Sequence, residues 1–264
     1  MVRAPRSGEH RTPGAAGLLA LVDALGAIAL LTRDAVRAFL RRPPAWSVMM
    51  AQFEVVGWRS ISIVTLTALS MGMVLALQLG NFLERFGAKM FVSRIVGVSL
   101  VREMSPILTA LMLGGRVGAG ITAELGTMAV TEQIDAIRAL GASPVRVLVV
   151  PRLLAVMIML PILTVVADFV GVFGGLFIST TELRVSSEFY WNSLLYGMML
   201  QDVFSGLGKS VFFAYFIGII ACYNGLHVTG GADGVGRATT ATVVAASITI
   251  LVADFFLTKL FLAS

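Results

Sequence analysis

The stretch 102–144 reads REMSPILTALMLGGRVGAGITAELGTMAVTEQIDAIRALGASP, and it decides the fold. It begins with a charged pair, Arg102 and Glu103, inside an apolar run that is otherwise typical of lipid-buried sequence. A glycine-rich segment follows, and then a charged segment over 123–141 that is too short and too polar to cross a bilayer. This order predicts a membrane-spanning helix with buried charges, followed by a polar helix outside the hydrocarbon.

The composition of the whole chain indicates a membrane protein. Of its 264 residues, 57% are hydrophobic and 13% are charged, whereas a soluble domain has about a quarter charged residues. The net charge of +5 fits arginines gathered on the cytoplasmic side of a membrane, so we do not expect nucleic-acid binding. With Cys222 as its only cysteine and two histidines, the chain cannot form an internal disulfide, and we expect no bound metal.

Five stretches are long enough to cross a hydrocarbon core, which needs about 20 apolar residues per helix. They cover 58–79, 92–113, 147–178, 207–226 and 240–262. We therefore predict an all-α polytopic membrane protein. The polar helix lies between the second and third spans, with Pro144 as its stop.

The N-terminal segment 1–45 is predicted to be a cytoplasmic tail followed by an amphipathic helix on the membrane surface. Residues 18–40 are apolar at helical spacing but are interrupted by charges, and Pro43 and Pro44 end the pattern. The alternative is a first transmembrane span. Residues 46–264 then form the transmembrane domain.

Arginine placement predicts the orientation. The N-terminal arm and the segment 116–152 are rich in arginine and should be cytoplasmic. With five spans, this leaves the C-terminus on the opposite face. Phe189, Tyr190 and Trp191 are expected to form an aromatic belt at that outer interface.

Several charged residues fall within or at the edges of the predicted spans: Arg102, Glu103, Asp168, Lys209 and Asp254. Because a charge at the bilayer centre costs roughly 2.5 kcal/mol or more, each must face protein, water or another charge. One interpretation is a polar network that lines a substrate cavity, with Glu103 or Asp254 opposite Lys209 or Arg102. The alternatives are snorkelling at an interface, above all for Lys209, and a structural ion pair between helices.

Small residues at small-xxx-small spacing predict close helix packing, which is a main source of helix association in lipid. The positions are Gly114, Gly115, Gly118, Gly171 and Gly175.

One apparent nucleotide motif is rejected. The sequence 205–210, SGLGKS, ends like a phosphate-binding loop, but Val203 stands where the first glycine is required, and an apolar span follows. The segment 230–237, GGADGVGR, lacks the lysine and is interpreted as a cytoplasmic turn. We therefore expect neither ATPase nor other enzyme activity in this chain, and no bound cofactor.

The polar helix is amphipathic. Its apolar stripe consists of Val130, Ile134 and Ile137. The neighbouring polar face consists of Glu132, Asp135 and Arg138. Such a helix can lie on the membrane or dock in a groove of a partner protein. Its acidic residues would be repelled by anionic lipid, which favours the protein partner.

Several blocks of the sequence together resemble the Mla/YrbE-type permeases, the membrane subunits of MCE-associated ABC lipid transporters. The resemblance runs from about Trp46 to the C-terminus. Its blocks are Leu100–Pro106, Gly115–Gly118, Ala123–Gly126, Thr131–Ala136, Arg237–Thr240 and Ala253–Phe255.

The resemblance implies an elbow helix, five spans and a coupling helix over about 123–141, including Glu124, that docks in an ATPase. It also implies in-span charges at Arg102, Glu103, Lys209 and Asp254. The implied partners are a second permease copy, an ABC ATPase dimer that uses ATP and magnesium, a hexameric MCE ring, in some assemblies a STAS-domain protein, and membrane phospholipid. The implied location is the bacterial inner membrane, with the C-terminus periplasmic.

Two other functions remain open from the residues alone. The chain could be a membrane scaffold that anchors an MCE ring without moving lipid. It could also be an ion-coupled secondary transporter with Glu103 and Asp254 as proton sites.

Overall fold

The computed structural model describes residues 13–41 and 43–263. Within that part of the chain every regular element is helical, and five helices are long and apolar enough to cross a membrane. The predicted all-α polytopic class is confirmed. The expected basic tail before Pro13, and Arg42, lie outside the described residues.

The helices are numbered in chain order. They are α1 (Pro13–Arg41), α2 (Trp46–Val56), α3 (Ile61–Arg85), α4 (Val92–Ser99), α5 (Ser105–Leu113), α6 (Ala119–Val130), α7 (Gln133–Ala139), α8 (Val150–Thr181), α9 (Ser187–Gly197), α10 (Leu200–Leu226) and α11 (Gly231–Ala263). Three π-helical segments lie at Leu100–Met104, Gly114–Gly118 and Val145–Val149. The five candidate spans are Trp46–Arg85, Lys89–Val130, Val145–Thr181, Leu200–Leu226 and Gly231–Phe261.

All five spans begin earlier than the apolar pattern predicts, at residues 46, 89, 145, 200 and 231 instead of 58, 92, 147, 207 and 240. At the start of α10, a side-chain oxygen of Asp202 accepts a hydrogen bond from the backbone N–H of Met199 at 3.0 Å, and so caps the helix. The interpretation of the segment GGADGVGR as a turn is wrong, because all of it except Gly230 belongs to the beginning of α11. Only Gly230 and Gly231, with φ of 90° and 67°, reverse the chain.

The polar helix predicted over 123–141 is wrong in its extent. Its first part is α6, which continues the second span to Val130. Glu132 then adopts a left-handed backbone conformation, with φ of 60°, which ends one helix direction and starts another. Only α7 forms the separate polar helix.

The long helix α8 lies at the centre of the bundle, where it contacts α2, α3, α5 and α10. Its closest neighbour is α3, because glycines on both helices let the backbones approach. A Cβ atom added to Gly72 would lie 1.9 Å from the carbonyl oxygen of Gly171, and one on Gly174 would lie 2.4 Å from that of Leu69. Glycine contact therefore sets this interhelical distance, as expected for association in lipid.

Helix α1 does not qualify as a candidate span by length and composition, unlike the five above. It is attached to the bundle through Ala35, which is buried, and through a 2.7 Å hydrogen bond between the hydroxyls of Thr32 and Tyr215. Several large apolar side chains on its other faces are exposed, among them Val36 and Leu40. Its position on the membrane surface stays a prediction.

The expected aromatic belt is wrong for Tyr190. This side chain is fully buried under α8, where its hydroxyl donates to the carbonyl oxygen of Val172 at 3.1 Å. Burial raises the pKa of Tyr190, so the phenol keeps its proton and remains a donor. Phe189 is exposed, as a belt residue should be.

Candidate functional site

Three in-span charges meet at one place, which we call the central charge cluster: Glu103, Lys209 and Asp254. The Lys209 Nζ donates to a Glu103 carboxylate oxygen and lies 3.2 Å from Oδ1 of Asp254. It also donates to Oγ1 of Thr258 at 2.7 Å, and that hydroxyl lies 3.3 Å from Oε2 of Glu103. The cluster thus joins the second span, α10 and α11.

The burial of the cluster is uneven. The Lys209 side chain is 0% exposed, whereas those of Glu103 and Asp254 are 25% and 17% exposed. Snorkelling of Lys209 to an interface does not fit a fully buried ammonium held by two carboxylates. The two acids together outnumber the lysine, so the accessible side of the cluster presents partly exposed carboxylates.

Arg102 does not belong to the central charge cluster, although Glu103 is its neighbour in sequence. Successive side chains on a helix point in different directions, and the Arg102 guanidinium lies 3.3 Å from Oδ1 of Asp202. Asp202 also caps α10 through Met199. The second span therefore contacts α10 at two points. Arg102 pairs with Asp202 near the start of α10, and Glu103 pairs with Lys209 further along it.

Asp168, on α8, is also separate from the cluster. Its carboxyl lies beside the hydroxyl of Ser105, but neither its Oδ1 nor that hydroxyl forms a hydrogen bond of normal geometry within the described residues. We assign no role to this residue.

A second buried polar contact joins α6, α10 and α11 nearer their other ends. The Thr122 hydroxyl lies 2.9 Å from that of Thr242 and 3.1 Å from the carbonyl oxygen of Ala221. Asn224 donates to the Thr242 hydroxyl at 2.9 Å. Such bonds contribute about 0.6 kcal/mol each between membrane helices. This group was not predicted, because threonine in an apolar helix usually bonds only to its own backbone.

Glu124, predicted to contact an ATPase, braces α6 against α8, and its side chain is still 55% exposed. Its carboxylate accepts two hydrogen bonds from the Arg152 guanidinium, at 2.6 and 3.3 Å. Arg152 is 7% exposed, and its remaining nitrogen donates to the carbonyl oxygen of Leu148 at 2.8 Å. This paired geometry is the strong form of an ion pair, and it fixes the helix that leads to α7.

The apolar stripe of the polar helix faces this chain's own core. Ile134 is 4% exposed, and Ile137 is partly buried against the same cluster of core residues. Val130 lies before the break and is exposed. The stripe therefore orients α7 rather than offering a free apolar face to a partner.

What α7 leaves exposed is its charged face and its end. Asp135 and Arg138 form an exposed ion pair at 2.8 Å. Glu132 is exposed where α6 and α7 meet, and Leu140, just after α7, is 86% exposed. Charged side chains of both signs can be met by complementary charges on another protein, so this face stays available for a partner.

The glycines predicted to pack helices divide into two groups. A Cβ on Gly171 or Gly175 would meet neighbouring atoms at 3.4 Å and 2.8 Å, and one on Gly114 or Gly118 would contact Ile217 at ordinary distance. Nothing lies within 4 Å of a Cβ placed on Gly115, so this glycine packs against no helix of the described chain.

The rejected nucleotide motif lies entirely inside α10. Gly206 is packed against the carbonyl oxygen of Val101, 2.1 Å from where a Cβ would be. Lys209 is held in the central charge cluster. No loop is present here to surround a phosphate.

Comparison with known proteins gives consistent matches over most of the chain. The family model for permease MlaE matches residues 49–260. A probable ABC transporter permease protein of Rickettsia felis is 40% identical over 239 residues, covering 90% of this chain and 92% of that protein. A probable ABC transporter permease protein of Synechocystis sp. is 43% identical over 211 residues, 80% of each chain. The chloroplastic protein TRIGALACTOSYLDIACYLGLYCEROL 1 of Arabidopsis thaliana is 32% identical over 234 residues, 89% of this chain and 67% of that protein.

Proposed function

Because this chain belongs to the MlaE permease family and is a membrane permease subunit, we propose that it moves phospholipid as part of an ABC transporter. In this proposal two copies form a homodimer in the bacterial inner membrane. A cytoplasmic ATPase dimer hydrolyses ATP with magnesium, and a hexameric MCE-protein ring on the opposite face exchanges the lipid. A STAS-domain protein can complete the assembly. The name of the chloroplastic relative includes that of a glycerolipid, trigalactosyldiacylglycerol, which supports a lipid as the substrate.

One observation carries the proposal: the central charge cluster is connected to α7 by a single helical rod. The second span runs without a break from Glu103 to Val130 through α5 and α6. Twenty-seven residues at helical rise correspond to about 40 Å. A displacement of α7 is therefore transmitted along the rod to Glu103, where it changes the distances to Lys209 and Asp254.

The outer face of α11 supports a cavity shared by two copies. In the most apolar 18-residue stretch of α11 only 17% is buried within the chain, whereas the corresponding value for α10 is 50%. An open groove of about 980 Å³ runs along α11, with Asp233 and Arg237 at one end and Val244 and Ile248 at the other. A phospholipid needs such a combination of a polar end and apolar walls, and a second copy would close the groove.

The proposed cycle follows from these parts. ATP binding brings the ATPase subunits together and moves the two α7 helices, which enter the ATPase with their charged faces towards it. The rods then shift the central charge clusters and narrow the shared cavity. Lipid leaves because the narrowed shape binds it less well than the open one, and only this difference in affinity can drive release.

Transfer of fluorescent phospholipid between vesicles by the reconstituted permease and ATPase tests the proposal. We expect transfer to require ATP, and Glu103→Gln to reduce transfer more than it reduces ATP hydrolysis. The control is Glu84→Gln, an exposed acid paired with Lys89 at 2.9 Å, which should transfer lipid normally. Equal transfer without the ATPase would favour an ion-coupled transporter, and an intact assembly that transfers no lipid would favour a scaffold. Either result contradicts the proposal.

A further inference from the structure

A cationic cavity lies between the end of α1 and the segment that leads into α8. It has a volume of about 600 Å³. Its charged lining consists of three arginines, Arg37, Arg41 and Arg146, and one acid, Asp34. Arg37 and Arg41 are four residues apart and share a face of α1, and Arg146 faces them from the π-helical segment before α8.

The positive charge of this cavity is not balanced within the described chain. None of the three arginines has an ion pair or a side-chain hydrogen bond there, whereas Asp34 is already bound by Arg33 at 3.1 Å. Elsewhere in the described chain five arginines are paired with an acid, among them Arg152 with Glu124. Three exposed guanidinium groups around one space attract an anion, and the planar guanidinium matches the geometry of a phosphate group.

An apolar crevice continues from the cavity along the same two helices. It has a volume of about 230 Å³, and Ala35, Val36, Phe39, Leu154 and Met157 are among its lining residues. The crevice adjoins the cavity on both sides. On α1, Ala35 of the crevice lies about one helical turn before Ala38 of the cavity, and Val150 of the crevice follows Val147 of the cavity by three residues.

The two spaces together match one chemical class. A phosphate group in the cavity and an acyl chain in the crevice belong to the same molecule in a phospholipid, which is the membrane component that carries both. Basic pockets between helices at the membrane surface are known to hold anionic headgroups. An acidic protein surface would satisfy the arginines but would leave the crevice empty, so the combined site favours lipid.

We propose that this site binds one anionic phospholipid of the adjoining leaflet as a resident ligand, separate from the transported lipid. The bound lipid fastens α1 to the start of the third span, next to α7. Under the orientation proposed above, the leaflet is the cytoplasmic one. The binding itself does not depend on transport, because the site uses no residue of the central charge cluster or of α11.

Native mass spectrometry of the full-length chain tests the proposal, with phosphatidylglycerol as the probe and phosphatidylethanolamine of the same acyl chains as the comparison. We expect phosphatidylglycerol to bind more tightly, and Arg41→Gln and Arg146→Gln each to weaken it about fivefold. Arg146→Lys keeps the charge and should retain most of the affinity. The control is Arg59→Gln, an arginine that is 60% exposed and lies outside the cavity.

Several results would overturn the proposal. One is equal affinity of all variants for phosphatidylglycerol, with elution profiles that show them folded. Another is displacement of the lipid by glycerol 3-phosphate at similar concentration, which would identify a site for free phosphate. A third is normal lipid binding by the arginine variants together with loss of the ATPase on co-purification, which would assign the arginines to a protein contact. Failure of vesicle transfer alone would count against the proposed function and not against this site.

Discussion

Replacing Lys209 by methionine should destabilise the protein strongly. The substitution keeps the length of the side chain but removes the ammonium that holds Glu103 and Asp254. Two carboxylates then face each other inside a membrane helix bundle without a cation. Removal of one partner of a buried ion pair costs about 3–5 kcal/mol, which for a chain of this size corresponds to a fall in Tm of about 10 °C.

Thermal unfolding in detergent, followed by circular dichroism, measures this effect. The matched control is Lys259→Met, an exposed lysine on α11, which should shift Tm little. The triple variant with Glu103→Gln and Asp254→Asn should recover most of the loss, because an apolar or neutral replacement of a whole buried ion cluster is often nearly neutral. If Lys209→Met unfolds at the same temperature as the control, or if the triple variant is less stable still, the cluster is not the charge-paired unit described here.

The remaining predictions concern packing, conformation and capping. Gly72→Val should disrupt α3–α8 packing and give an aggregated elution profile in size-exclusion chromatography, because its Cβ would collide with the Gly171 carbonyl. The control Gly120→Ala, whose Cβ would have nothing within 4 Å, should elute normally. A normal profile for both variants would contradict the packing described. Glu132→Gly should preserve or raise Tm, since a left-handed conformation costs a non-glycine residue about 1 kcal/mol, yet should lower lipid-stimulated ATP hydrolysis; a fall in Tm with unchanged hydrolysis would refute the assignment. Tyr190→Phe should cost about 1 kcal/mol in unfolding free energy, and no change would show that its hydrogen bond to α8 is not formed.

The sequence predicted a polar network among Arg102, Glu103, Lys209 and Asp254, because charges within apolar spans must face protein, water or one another. It left open which acid meets which cation. The partner of Arg102 was missed for a related reason. Asp202 lies before the predicted span 207–226, since the apolar pattern begins only there, and a helix-capping role does not show in a hydropathy pattern.

The break at Glu132 could not be predicted. Helix ends are usually marked by glycine or asparagine in the left-handed conformation, and here a glutamate between Thr131 and Gln133 adopts it. The residue pattern did not distinguish Gly115 from Gly114. Successive residues lie about 100° apart around a helix, and of these two only Gly114 faces Ile217.

The most direct test of the account is whether ATP binding in the ATPase changes access to the central charge cluster. The chain has a single cysteine, the buried Cys222, so Cys222→Ala provides a background for Thr258→Cys, which places a thiol beside Glu103 and Lys209. The rate of its modification by a water-soluble maleimide is then measured in the reconstituted complex with and without a nonhydrolysable ATP analogue. The account predicts that the analogue changes the rate severalfold, and that Glu132→Gly abolishes this change. The same rate in every condition would contradict it.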